Sequence, residues 1–424
     1  MAPPPLQAEL RLLLDARLAA AVIGRGGGTV RRIRLASSVD HIQLSQHAPP
    51  AKDRELRLSG CPAAVLHAYA LVAEVLRAEA PARPGAAERL RLLVPDAESL
   101  AGAAAIEKLR RGSGATIQRD GEARGGKEAL LACEGRAEQL EALVRRVVDA
   151  VARRHHARHR DFLSQWAFAT SYNDHFETPA EAYADVLPVL RAVALQRWRR
   201  EHGRKRKRAE EEGVAESALS QLVVYDPYYC QGSMRHALAT LGVAAERCIN
   251  ENRDFYKDVD ECTAPPHDVL VTNPPYSAEH KQRLLQILLR THRGEPRAGL
   301  PPAPFLLLMP AWLAGTDYWQ DFVAELAAHV ASQEGPDLAS SPRKPEARAR
   351  ITYVCPQTKY SFAHPEATGK PTSPFHAIWF CGGWESARAQ REAMAALKPA
   401  RVSGKVKLFR TSAMLRKHGY YTKF

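Results

Sequence analysis

Asp268-Val-Leu-Val-Thr-Asn-Pro-Pro-Tyr-Ser277 is the stretch on which the C-terminal part of this chain turns. Val269 to Thr272 is a short, strongly apolar run of the kind a buried strand needs. Pro274 and Pro275 end it, because proline fixes φ and cannot donate to a strand ladder. The carbonyls there and the Asn273 amide are thus left projecting from the sheet edge. An amphipathic helix is predicted next, His280 to Leu289. A strand, a tight loop and a helix in succession place the loop at the carboxyl edge of an open α/β sheet, where such sheets bind ligands.

Upstream, Leu222-Val-Val-Tyr-Asp226-Pro227-Tyr-Tyr-Cys230-Gln-Gly232-Ser-Met-Arg-His-Ala-Leu238 has the same design of apolar strand, loop and helix. Arg247-Cys-Ile-Asn-Glu251-Asn-Arg-Asp254-Phe255-Tyr256 follows, too compact for a full helix before the next strand. Downstream, Phe305-Leu-Leu-Leu-Met-Pro310 reads as another buried strand, and Ile351-Thr-Tyr-Val with Phe375-His-Ala-Ile-Trp-Phe380 reads as a hairpin. Before all of these, Glu177-Thr178-Pro179-Ala180-Glu181 has the form of a helix start, with Thr capping and Pro in the first turn.

Taken in order, these segments resemble the class I S-adenosylmethionine-dependent amino-methyltransferases, whose mark is Asn or Asp followed by Pro-Pro and an aromatic residue. The resemblance implies a Rossmann-like domain over residues 160–424, with a mainly parallel sheet and an antiparallel closing hairpin. It also implies roles. Asn273 and Pro274 would accept the two hydrogens of a target NH2, Pro275 would fix the turn, and Tyr276 would stack on the target ring. Phe362 or Tyr360 would offer an aromatic to the other face. S-adenosyl-L-methionine would lie against Thr178, Pro179, Asp226, Pro227 and Gly232, with Glu251 on the ribose and Asp254 and Phe255 beside the adenine. Cys230 departs from the family, which has a glycine there.

The N-terminal part carries a different signal. An apolar strand (Leu10 to Leu14) is followed by a short helix ending in Val22-Ile23, then by Gly24-Arg25-Gly26-Gly27-Gly28, and then by a basic helix with Arg31 and Arg32. Two alternating strands, His41 to Ser45 and Glu55 to Leu58, and a long helix from Pro62 to Ala78 complete a β-α-α-β-β-α order. Two helices meeting through glycines let a nucleic-acid backbone approach closely, with N–H groups and a helix dipole facing phosphate. This segment, residues 1–82, resembles a eukaryotic-type KH domain. Gly24 to Gly27 is its G-x-x-G loop, and Ile23, Val30 and Ile42 are candidates for its base groove. Residues 88–155 repeat the plan as a second KH-like domain without the clamp, since Leu100-Ala101-Gly102-Ala103 stands where G-x-x-G belongs. Arg110, Arg111 and Arg119 are its candidate nucleic-acid contacts, and Ala123-Arg124-Gly125-Gly126-Lys127 fits a loop between strands.

A net charge of +13, from 60 Lys+Arg against 47 Asp+Glu, favours a polyanionic partner. The seven cysteines form no C-x-x-C pair, which argues for a reduced compartment without structural zinc. Without a long apolar run, no membrane role is expected. The basic insertion at about 198–216 contains Arg204-Lys-Arg-Lys-Arg208, which reads as a nuclear-import signal or as solvated surface, so a nuclear or cytoplasmic location is expected. The combined expectation is a methyltransferase acting on an exocyclic amino group, adenine N6 in single-stranded RNA first. DNA is the nearest rival substrate, and an RNA-binding protein with an inactive methyltransferase-like domain is the alternative. Whether a protein partner takes part is not legible.

Overall fold

The computed structural model describes residues 6–45, 53–79, 86–95, 100–123, 128–203, 208–277, 279–334, 344–366 and 373–421. The chain divides into two compact units, Met1–Phe162 and Leu163–Phe424. Among the described residues, no helix is long and apolar enough to cross a membrane.

The first unit begins with β1 (Ala8–Asp15), helix Ala16–Ile23, a 3-10 turn Arg25–Gly27, helix Gly28–Ser37, β2 (His41–Leu44), β3 (Asp53–Gly60) and helix Pro62–Glu79. It continues with β4 (Glu88–Pro95), helix Ala103–Ser113, β5 (Thr116–Ala123), β6 (Glu128–Gly135) and helix Ala137–Leu163. Residues 124–127, expected as a loop, lie outside the described residues.

Both halves belong to one antiparallel sheet in the order β2-β3-β1-β4-β6-β5, because β1 pairs with β4 at Leu12↔Leu92. Every second residue of β1 (Leu10, Leu12, Leu14) faces a single apolar core together with Leu56, Leu58, Leu92 and Leu131. The segments expected as separate domains therefore share a sheet and a core.

On the opposite face Arg11, 4% exposed, donates to Glu55 at 2.7 Å and to Glu128 at 2.6 Å, so one guanidinium ties the two halves together. Burial works against the charge on Glu55, yet the hydrogen bonds from Arg11 and Arg57 outweigh it and bring the carboxyl down to about 2.

The halves also repeat in detail. Ser37 Oγ donates to Ile33 O at 2.7 Å, and Ser113 Oγ donates to Leu109 O at 2.7 Å. Ser38 and Gly114, the next residues, both take a left-handed conformation that ends the helix.

In the second unit, β7 (Val224–Tyr225), β8 (Cys248–Ile249), β9 (Val269–Thr272), β10 (Phe305–Pro310), β11 (Thr352–Pro356), β12 (Ala377–Gly382) and β13 (Val406–Phe409) form a mixed sheet. The order is β13-β11-β12-β10-β9-β7-β8. The strands β8, β7, β9 and β10 run parallel, β12 is antiparallel to β10, and β11 is antiparallel to both β12 and β13.

Alternate residues of the central strands enter different cores. Val269, Val271, Leu306 and Leu308 lie on the side of helix Ala180–His202, whereas Leu270, Phe305, Leu307 and Met309 lie with helices His280–His292 and Asp317–Glu334. Burial on both faces explains why these strands read as continuous apolar runs. The strand β13 was not expected from the sequence.

The described parts of the basic insertion are helical. Helix Ala180–His202 runs through its start, and helix Arg208–Ser220 follows. Arg197 pairs with Asp268 at 2.9 Å and Arg199 with Glu392 at 3.1 Å, which docks that end of the helix. Residues 204–207 of the basic run lie outside the described residues. Residues 335–343, between helix Asp317–Glu334 and a short helix Pro345–Arg348, lie outside the described residues.

Candidate nucleic-acid interface and candidate active site

In the first unit, helix Ala16–Ile23 ends where Gly24 N–H donates to Ala20 O at 2.9 Å. Gly24, Gly26 and Gly27 then take positive φ of 69°, 56° and 75°. That path favours glycine, and a Cβ on Gly24 would stand 2.1 Å from Thr29 Oγ1. Helix Gly28–Ser37 begins at Gly27 with neither a side-chain cap nor an acidic residue in its first turn, so its N–H groups and dipole favour an anion.

Arg25 and Arg32 are exposed beside this loop. Arg31 instead folds back, donating to the Gly26 carbonyl and, at 3.3 Å, to the Gly27 carbonyl, and so braces the loop. Ile23, Val30 and Ile42 are half-buried, as an aliphatic groove requires.

Among the described residues of the second half there is no such loop. Gly102, extended at φ −67°, leads straight into helix Ala103–Ser113. The cations expected to reach nucleic acid there are engaged nearby: Arg110 Nε donates to Ile117 O at 3.1 Å, and Arg111 pairs with Glu107 at 2.9 Å.

In the second unit the parallel strands bring Asp226, Asn250 and Asn273 to one sheet edge, each just beyond the end of its strand. Asp226 N–H donates to Ile249 O at 2.9 Å, and Asn250 Nδ2 donates to Asp226 O at 3.0 Å, which locks the first two together. Asp226 Oδ1 accepts from Thr272 Oγ1 at 2.5 Å and from Tyr228 N–H at 3.1 Å. Burial pushes its carboxyl up to about 7, against the lowering effect of those two bonds.

Gly232, at φ 81°, starts helix Ser233–Thr240. The carboxylate of Glu177 closes this loop, accepting from Gln231 N–H at 2.7 Å and from the Ser233 hydroxyl. Cys230 lies within that loop, and burial together with Glu177 pushes its thiol up. Thr178, 8% exposed, precedes Pro179, the N-cap of helix Ala180–His202.

Asn273 and Tyr276 are joined: Tyr276 OH donates to Asn273 Oδ1 at 2.6 Å and lies 3.1 Å from Leu308 O. Burial raises the Tyr276 hydroxyl well above its ordinary value, so it stays protonated as a donor. The rest of this loop is held as well. Lys281 donates to the Tyr276 carbonyl, and Asp174 accepts from the Ser277 hydroxyl and, at 3.3 Å, from Ser277 N–H.

Several of the expected site residues have structural partners of their own. The ring beside Tyr276 is Phe375, edge-on at 5.6 Å. Tyr360 is 2% exposed with its hydroxyl on Asp185 at 2.7 Å, and the half-buried Phe362 packs edge-on against it. Asp254 caps helix Phe255–Asp260 by accepting from Tyr256 N–H at 3.0 Å, and Phe255, 3% exposed, is a core residue. Glu251 is exposed and lies 3.7 Å from Arg253.

The sequence reading missed Phe375, Glu177 and Asp174 as participants. Glu177 directly precedes Thr178-Pro179, which was a usable signal, whereas Phe375 and Asp174 carried none.

Residues 9–74 match the KH domain family. The match runs from β1 into helix Pro62–Glu79 and includes the glycine loop. The chain therefore carries a KH domain, a module that binds RNA or other single-stranded nucleic acid.

Proposed function

We propose that the second unit is a Rossmann-like class I methyltransferase domain and that the chain is an S-adenosylmethionine-dependent RNA methyltransferase acting on the exocyclic amino group of a base, adenine N6 first. The observation that carries this reading is the loop Asn273-Pro-Pro-Tyr276, which ends a central parallel strand beside the Asp226 loop. The KH domain supports RNA as the polymer, and degenerate KH-like character is our reading of the second half of the first unit.

The sheet edge fits a cationic cofactor. Asp226, 6% exposed and ion-paired to no cation among the described residues, and Glu177 across the same loop give it acidic character. Thr178, Pro179, Asp226, Pro227, Gly232 and Glu251 would hold S-adenosylmethionine, and Asp254 and Phe255 would support it by fixing the adjoining turn. When bound, this group supplies an electrophilic methyl.

The chain's own residues do the rest. Asn273 Oδ1 and the Pro274 carbonyl accept the two amine hydrogens and so turn the nitrogen lone pair outward. They also stabilise positive charge as it develops on the nitrogen. A carboxamide oxygen has two lone pairs, so Asn273 can serve the amine while it accepts from Tyr276. Pro275 keeps the turn stiff. Tyr276, with Phe375 beside it, supplies an aromatic wall for the base. No general base is required, because the proton can leave to water after transfer.

A second reading is favoured by one observation: the Glu177 carboxylate occupies the start of helix Ser233–Thr240 in a loop with Cys230 in place of glycine. In that reading the domain is an inactive scaffold. Calorimetric titration with S-adenosylmethionine decides between them. Saturable binding supports the enzyme, and absence of heat from a folded protein removes it.

A further inference from the structure

The two halves of the first unit differ most between their first strand and the helix that precedes the hairpin. In the first half that connection takes residues 16–27, twelve in number; in the second it takes residues 96–102, seven in number, of which 96–99 lie outside the described residues and Leu100 and Ala101 are helical. In the first half helix Ala16–Ile23 lies within the connection and packs on β1 and on helices Gly28–Ser37 and Pro62–Glu79, burying Ala19 and Val22. The counterparts of those three elements in the second half, namely the end of β4 and helices Ala103–Ser113 and Ala137–Leu163, line a cleft of about 280 Å³.

The cleft has an aliphatic floor and a cationic rim. Leu100, Leu109 and Val147 form the floor. Lys108, Arg146 and Arg153 form the rim, and all three are exposed. Arg146 Nε is held by the Gly112 carbonyl at 2.8 Å, and none of the three is ion-paired among the described residues. Among the described residues, Asp149 is the one carboxylate on the lining. Beyond Arg153 the same helix carries the exposed Arg154, Arg158 and Arg160, so the positive surface continues along it.

We propose that this cleft is a second contact for single-stranded RNA, separate from the glycine loop, in which a base lies on the Leu100–Leu109–Val147 floor and its phosphates meet Lys108, Arg146 and Arg153. Aliphatic surfaces receive bases in single-strand readers, and unpaired cations at the rim favour phosphate. The volume suits one small flat group, near the lower end of about 300 Å³ for ligand clefts. The proposal rests on nucleic-acid binding by the KH half. The second half thus keeps an RNA role after losing the glycine clamp.

The test measures fluorescence anisotropy of the full chain with a four-nucleotide and a fifteen-nucleotide single strand over a range of salt, for the natural protein and for Lys108→Gln/Arg146→Gln/Arg153→Gln. The substituted protein is expected to bind the four-mer unchanged, to bind the fifteen-mer about tenfold or more weakly, and to show a salt slope shallower by about two. Ultraviolet crosslinking of the natural complex is expected to label the peptides holding Leu109 and Val147.

An unchanged fifteen-mer affinity and slope would overturn the proposal, and so would equal weakening of both lengths. Displacement from the cleft by a polyglutamate peptide, with no RNA crosslink there, would assign it to an acidic protein instead. If the natural protein binds neither strand, RNA binding by the KH half itself fails, and the cleft proposal falls with it.

Discussion

The two loops that face ligands are built on opposite principles. Gly24 to Gly27 works through missing side chains: three positive φ values and a Cβ-intolerant Gly24 put bare backbone where phosphate can approach. Asn273 to Tyr276 works through stiffness, with two prolines, a Tyr276–Asn273 bond, and the neighbours Lys281 and Asp174 on the backbone and side chain beyond. The first loop needs adaptability to the polymer and reads no base by itself. The second, under the proposed function, needs one amine placed to a fraction of an ångström. Their frames differ in the same sense. A buried guanidinium ties the first sheet across the face opposite its core, whereas the second sheet is buried in apolar cores on both sides.

The sharpest way to break this comparison is at the stiff loop. Asn273→Ala should lower methyl transfer about a thousandfold or more, because an acceptor aimed at developing charge is lost, while calorimetry shows cofactor affinity within about threefold. Near-normal turnover would remove Asn273 from the chemistry.

At the frame of the first unit, Arg11→Ala should cost about 3 kcal/mol in denaturant unfolding of that unit, because it removes the buried guanidinium that Glu55 and Glu128 share. The natural protein should also lose stability in acid. The folded Glu55 carboxyl sits near 2 against an ordinary 4.5, so its contribution is present above about 4.5 and disappears as pH falls toward 2. Arg11→Ala should flatten that slope, and an unaltered slope would contradict the role of the triad.

At the glycine loop, Gly24→Asp with Gly27→Asp should weaken binding of a single-stranded RNA about tenfold or more, by strain and by carboxylates facing phosphate. Thermal unfolding would show whether the fold survives. The smallest effect is expected at Ser277→Ala, which removes only the hydroxyl bond to Asp174 and leaves the N–H bond. A fall of a few-fold in kcat with unchanged KM would fit a bond that trims loop geometry.

Much of this design was legible because it is local. Apolar runs before Asp226 and Asn273 gave the central strands, and the glycine cluster between two helices gave the KH loop. What the sequence concealed is what depends on distant partners. The pairing of Leu12 with Leu92 that joins two expected domains into one sheet has no periodic signature. Phe375 reaches Tyr276 from the start of an antiparallel strand, while Tyr360, which looked equally suitable, is drawn into the core by Asp185. Asp254 shows a different limit, since a carboxylate before an aromatic residue looks the same as an N-cap and as a ligand contact until its hydrogen bonds are seen.

Under the proposed function the two loops act on one RNA, the first holding the strand and the second methylating it. It is tested most directly by incubating the full chain with methyl-labelled S-adenosylmethionine and total RNA, followed by nucleoside mass spectrometry, alongside Asn273→Ala and the Gly24→Asp/Gly27→Asp pair. The account predicts label in N6-methyladenosine, absent with Asn273→Ala and reduced with the glycine pair through KM rather than kcat. Label in no nucleoside of RNA under conditions where the cofactor binds, or label untouched by Asn273→Ala, would contradict it.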